Sequence, residues 1–158
     1  MAGGIAARLA ELNITLPEVA APVATYVPAV ISGRRVYTSG QLPFVDGVMP
    51  KTGKVGEGPG LVAPEAAAGY ARQCALNALA AVKALVGSLD RVARVVKVTG
   101  FVASDPSFTG QPAVINGASQ VLSDIFGEAG VHARSAVGVA VLPLDAPVEV
   151  EIIIDLSD

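Results

Sequence analysis

VARVVKVTGFVA, residues 92–103, is a long β-prone stretch with apolar side chains at both odd and even positions. Val95, Thr99 and Phe101 alternate with Val96, Val98 and Val102. A strand with two apolar faces belongs inside a sheet, covered on both sides. What covers it is read from its neighbours. Before it, Pro64 opens a helix at a position where its missing N–H costs nothing. Ala71, Ala75, Ala78, Val82 and Leu85 form one apolar stripe there, widened by Leu79 and Val86 and stopped by Gly87. After it, a second helix is predicted over Gln111–Phe126, with Val114, Ala118, Val121, Leu122 and Ile125 on one face. Further out, Tyr26–Ile31 and Arg35–Leu42 flank a Ser32–Gly33 turn and predict a hairpin. Ala133–Leu142 and Val148–Leu156 predict two closing strands, and the short PLDAP link between them suits an antiparallel hairpin.

The order is therefore β-β-α-β-α-β-β, an α+β domain. Its two helices lie on one side of the sheet. The second apolar face is left without cover, and another subunit is expected to supply it. Residues 44–60, FVDGVMPKTGKVGEGPG, read as a surface loop with a small turn at Asp46–Gly47. An amphipathic segment, Ile5–Leu12, precedes an Ala/Pro/Val stretch to about Val23 that is predicted to lie extended on the body. All 158 residues are read as one domain, with 1–23 as its N-terminal helix and arm.

Composition agrees with subunit burial. The chain is 52% hydrophobic and only 16% charged, more apolar than a monomer of this size needs. No run approaches the ~18–20 uncharged residues of a spanning helix, and no apolar signal core stands at the N-terminus. Net charge is −3 and the pI about 5.1, without a basic stripe, so nucleic acid and membrane surfaces are not expected partners. Cys74 is the single cysteine, which excludes an internal disulfide and suits a reducing, cytoplasmic compartment. It reads as a small buried side chain. With His132 the single histidine, a structural zinc site is not expected.

GVHARSAVGVAVLPL, residues 130–144, sets Arg134 at the head of an apolar strand. A guanidinium there needs an anionic partner, either structural or a bound ligand. Glu149 and Glu151 share one strand face and are the structural candidates. If PLDAP closes a hairpin, Glu149 pairs near Val141, roughly 24 Å along the strand from Arg134. One subunit then cannot bring the two together. His132 beside the arginine reads as a solvated loop histidine.

Five motifs now stand in order: VYTSGQLP at 36–43, VVKVTGFVAS at 95–104, the helix carrying Asn116, ARSAVGVAVLP at 133–143 and VEVEIIID at 148–155. Together they resemble the RidA family, also called YjgF, from about Tyr26 onward. The resemblance implies a Bacillus-type chorismate mutase-like fold. It also implies a homotrimer whose three sheets form a central barrel, with active sites at the subunit interfaces. The implied activity is cofactor-independent hydrolysis of enamines and imines such as 2-aminoacrylate to 2-keto acids and ammonia. It places the carboxylate-gripping arginine at Arg134 and the water-orienting acid at Glu149. Tyr26, Ser39, Gly40 and Asn116 fall on its substrate-binding positions, and so does Ala136, where many deaminase members have cysteine.

The departures are local. His132 stands where proline is common and Gly138 where glutamate is common. The N-terminal arm and the 44–60 loop are longer than the usual pattern, which implies a separate branch. Two other functions stand beside the deaminase: a trimer that binds or senses small carboxylates without chemistry, and the endoribonuclease long attached to the family. The acidic composition disfavours the latter.

Overall fold

The computed structural model describes residues 3–19, 21 and 24–158. Among them are three α-helices, α1 (Gly4–Glu11), α2 (Pro64–Val86) and α3 (Gln111–Phe126), and five strands. The strands are β1 (Ala29–Ser32), β2 (Arg35–Thr38), β3 (Val92–Ala103), β4 (Ala133–Val139) and β5 (Val148–Leu156). They form one mixed sheet in the order β1-β2-β5-β3-β4. β3 and β4 run parallel, and every other neighbouring pair is antiparallel. The expected α+β fold and element order are both present.

The sheet order corrects one expectation. β4 and β5 do not pair. β4 lies beside β3 at the edge, while β5 inserts between β2 and β3 and is the central strand. The link over 140–147 therefore crosses the end of β3. There the Ala103 N–H donates to Pro147 O (2.9 Å) and the Ser104 N–H to Val139 O (2.9 Å). The physical reason lies in β5 itself. Val148, Val150, Ile152, Ile154 and Leu156 are buried, and a strand with so continuous an apolar row gains most between two partners. Each such side chain contributes on the order of 1.5–3 kcal/mol by burial. An edge position under the helices would leave part of that unrealised.

Both long helices pack on one face of the sheet, as the stripes require. Ala71, Ala75, Ala78, Leu79 and Val82 of α2 and Val114, Ala118, Leu122 and Ile125 of α3 are fully buried. Leu85, expected in the stripe, is 42% exposed, and Val86 takes the last inward position of α2. In β3 the expected alternation breaks. Register shifts at Val92/Arg94 and Val95/Lys97 turn Val95 to the helix face beside Val98 and Val102, all three buried. A bulge inserts one residue and so reverses the parity of what precedes it. Beyond it Thr99 and Phe101 lie on the other face with Glu149, Glu151 and Ile153.

Among the described residues nothing covers that other face, so β3 is covered there on one side only. Val30 and Tyr37, paired across β1 and β2, are exposed there, as is Val137 of β4. The hairpin is shorter than predicted and turns at Gly33–Arg34, because Ser32 pairs with Arg35; Tyr26 precedes it in irregular chain. The 44–60 segment makes the small turn at Asp46–Gly47, with Val45 and Val48 exchanging both backbone bonds (2.9 Å each). It is not all surface, however. Val55 is fully buried and bridges to Val62 and Ser104.

α1 is the expected amphipathic segment and is bound to the body. The Ile5 N–H donates to Asp90 Oδ1 (2.6 Å) and Arg8 Nε to Asp124 O (2.8 Å). Part of the predicted extended arm, residues 20, 22 and 23, lies outside the described residues. No helix among the described residues is long and apolar enough to cross a membrane.

Candidate functional site

Arg134 sits on edge strand β4, in register with Val98, and projects to the helix side. Its Nη1 donates to Asn116 Oδ1 (2.8 Å) and to Ser119 Oγ (3.2 Å). Its Nη2 donates to Pro112 O (3.3 Å). All three acceptors belong to α3, and none is a carboxylate. Asn116 and Ser119 are three residues apart, so one helix face presents both. The protein thus takes the Nη1 end of the guanidinium. Among the described residues nothing accepts from Nε, and Nη2 keeps a second hydrogen beside its bond to Pro112 O, so the Nε–Nη2 edge can still offer two donors. Such an edge fits a carboxylate through two parallel bonds.

Ser119 and His132 also belong here. His132 Nε2 lies 2.8 Å from Ser119 Oγ, and its Nδ1 lies 2.6 Å from Gly130 O. The expected solvated histidine is instead bonded at both ring nitrogens. Its replacement of a common proline next to the arginine was the available signal. Ser119 carried a weaker one, its three-residue spacing from Asn116. Ala136 follows Arg134 on the same face and packs against the core. Gly138 comes next, and a side chain there would meet the Gln111 amide and Ser104 Oγ. Gln111 itself donates to Phe108 O (2.7 Å) and Ser104 Oγ (3.1 Å). It fills the space beside position 138, a role the sequence did not signal.

Glu149 lies elsewhere. It pairs with Phe101 on β5 and points to the open face, between the inward-facing Val148 and Val150. Burial raises its carboxyl above the ordinary range, and the negative charge of Glu151 adds to the rise. Its carboxyl lies directly over Gly40, whose missing side chain makes the space. Ser39 precedes Gly40 and ties this turn to the chain after Tyr26. Ser39 Oγ donates to Val27 O (2.6 Å), and its N–H to Pro28 O (2.8 Å). Tyr26 is half-exposed beside it.

The sequence-predicted residues therefore form two groups. Arg134, Asn116 and Ala136 line the β4–α3 edge; Glu149, Gly40, Ser39 and Tyr26 cluster at the β2–β5 end. Arg134 is level with Ile152 and Glu149 with Phe101, so the two are three residues and two strands apart. Strand geometry puts their Cα atoms about 14 Å apart, not the 24 Å of a hairpin, but on opposite faces. An ion pair between them within one chain is excluded by that parity. Cys74 is fully buried on α2, and burial, with the charge of Glu149 second, raises its thiol well above the usual range. It is the inert packing residue expected.

Residues 6–156 match the family described as "YjgF/chorismate_mutase-like, putative endoribonuclease". Protein TCP17 of Trypanosoma cruzi is 47% identical over 157 residues, 99% of this chain and 96% of that protein. The crystal structure of a protein of unknown function from Agrobacterium tumefaciens superposes with a TM-score of 0.87 at 47% identity, covering 97% of this chain and 92% of that one. E. coli TdcF with bound serine superposes with a TM-score of 0.60 at 28% identity, covering 90% and 96%. Motif order, sheet topology and a match over nearly the whole length converge: the chain belongs to the YjgF/chorismate mutase-like family, the RidA family its motifs resemble.

Proposed function

We propose that this protein is a cofactor-independent deaminase that hydrolyses 2-imino acids, 2-aminoacrylate among them, to 2-keto acids and ammonia. The observation that carries this reading is Arg134, a permanent cation held by three neutral acceptors and no carboxylate, with Nε unbonded among the described residues and one Nη2 hydrogen still to give. A half-buried guanidinium without a protein carboxylate is suited to a ligand carboxylate. The serine bound by TdcF, a relative, carries such a group.

In this mechanism Arg134 grips the substrate carboxylate and fixes its orientation. The imine carbon is already electrophilic. Glu149 of a neighbouring subunit holds water for attack; its raised carboxyl is suited to taking up the proton that water releases. An enamine such as 2-aminoacrylate first shifts a proton from nitrogen to carbon to become the imine. Water then adds to C=N, its proton passing to Glu149, and the carbinolamine takes a proton back on nitrogen, expels ammonia and leaves the keto carbonyl. Tyr26, Ser39, Gly40 and Asn116 shape the pocket. Sharing between chains follows from the two separated groups and from the open face. Val30, Tyr37, Phe101, Val137 and Ile153 form an apolar surface there that a homotrimer would bury. A cytoplasmic setting suits the unpaired thiol of Cys74.

The test is ammonia release from freshly generated 2-aminoacrylate, compared with the spontaneous rate. A second reading, a trimer that binds keto acids without turnover, is favoured by Ala136, which offers no thiol beside the arginine. It takes over if keto acids bind and hydrolysis stays at the spontaneous rate. RNA cleavage has less support, because a net charge of −3 opposes a polyanion.

A further inference from the structure

We propose that Ser119 and His132 are positioning residues for Arg134, joined to it by a hydrogen-bond relay that is complete only while His132 is neutral. The proposal rests on the carboxylate-binding reading of Arg134. The polarity of the relay is fixed from both ends. Gly130 O has no proton to give, so His132 Nδ1 carries the hydrogen and donates across 2.6 Å. In the neutral ring Nε2 is then bare and accepts the Ser119 hydroxyl proton across 2.8 Å. Arginine only donates, so the Ser119 oxygen accepts from Nη1 at 3.2 Å. Each hydrogen has one place. With Asn116 Oδ1 on the other Nη1 hydrogen and Pro112 O on Nη2, the guanidinium plane is fixed and its Nε side faces one way.

Protonation of His132 reverses the middle link. Nε2 becomes a donor, the Ser119 hydroxyl proton must turn away, and one oxygen then bridges two cations. The hold on Nη1 weakens and the Nε side loses its fixed direction. The other charged groups around the ring are few. Arg94 on β3 donates to Val131 O (3.2 Å), Lys97 on β3 is in register with Ala133, Glu128 lies in the turn before the histidine, and Asp124 on α3 accepts from Gln120 (2.9 Å). Among the described residues none of them forms an ion pair with His132.

Calorimetric binding of pyruvate to the full chain tests this, at about pH 8 and about pH 5.5, which bracket the usual histidine range. Ser119→Ala and His132→Leu should bind about three- to tenfold more weakly at the higher pH, the effect of one neutral hydrogen bond, with wild-type melting curves. In His132→Gln the amide oxygen accepts from Ser119 at either pH. That variant should keep wild-type affinity at the higher pH and lose less than wild type on acidification. The proposal is overturned if His132→Leu binds as wild type does, or if His132→Gln loses affinity with acid as fully as wild type; the titrating group would then be another, Glu149 for one. If wild type binds no pyruvate at either pH, the carboxylate reading of Arg134 fails instead. The relay is then decided by ¹⁵N resonances of the ring, unambiguous because the chain has one histidine. Nδ1–H in wild type, with an Nε2 resonance whose hydrogen-bond shift is lost in Ser119→Ala, sustains it; Nε2–H in wild type, or an Nε2 resonance unmoved in Ser119→Ala, overturns it.

Discussion

The carboxyl group of Glu149 lies over the Cα of Gly40 so closely that a methyl group at position 40 would overlap it. Two residues more than one hundred positions apart are thus in steric register. The backbone turn after β2 sets where the carboxyl group can stand.

Gly40→Ala should accordingly impair the site while sparing the fold. The obstructed atoms are the far end of a flexible side chain, and Gly40 does not hold a positive φ. The melting temperature should move by no more than about 4 °C, while imine hydrolysis falls with the displaced carboxyl. A loss of stability as severe as the loss of rate would mean that Gly40 serves the fold and not Glu149.

Glu149→Gln should lower kcat by ~10²–10⁴-fold, the usual contribution of a positioned acid–base group, with a smaller effect on keto acid binding. It should also reveal the cost of the charge. Because the folded-state carboxyl titrates above its unfolded value, the folded chain holds this proton more tightly, and wild type loses stability as pH rises through the folded value. The glutamine variant should therefore be the more stable protein at neutral pH. The difference should vanish below the unfolded carboxyl value of about 4.3. Denaturation midpoints measured across that range check the sign.

Arg134→Lys should remain folded and lose most of the rise in melting temperature that small 2-keto acids give wild type. Lysine cannot present the planar fork. Mixed with Glu149→Gln subunits and allowed to reassemble, it should recover activity that neither variant has alone, as the proposed site drawing one residue from each of two chains requires. A stable monomer in sedimentation at micromolar concentration would sink the shared site.

Gly117→Ala reverses the usual preference. Within a helix alanine is favoured over glycine by about 1 kcal/mol. Here the added carbon would strike the Ala68 carbonyl oxygen of α2, a backbone atom that cannot swing aside. We expect a net destabilisation of about 1–3 kcal/mol, read from the urea midpoint. A gain in stability would show that α2 and α3 can separate at little cost.

The helices were legible because their apolar stripes are local and uninterrupted; α3 ends where its pattern does. β5 and β3 were legible as strands but not as neighbours, since a short link between two strands is compatible with pairing and with crossing alike. The bulge at Val95/Lys97 left no local mark, so the faces of β3 were assigned with Val95 on the wrong one. Of the site, Arg134 and Glu149 stood out by charge within apolar strands. Ser119 and Gln111 did not, because a polar residue on a helix face looks the same whether it meets solvent or a guanidinium. His132 is conspicuous in the sequence, but its hydrogen-bond partner lies in another element, which no local pattern signals.

The central place of β5 bears on how the chain acquires its structure. The β1–β2 hairpin and the β3–α3–β4 unit share no strand pairing with each other; both are joined through β5. On a ribosome these two pieces are made first and must wait, each with an unpaired edge, until residues 148–156 emerge. Closure is then a single insertion between two preformed edges, a step with large sequence separation and correspondingly slow. During that wait the waiting edges are open to the strands of other nascent copies, so the interval before β5 arrives is when the chain is most exposed to misassembly.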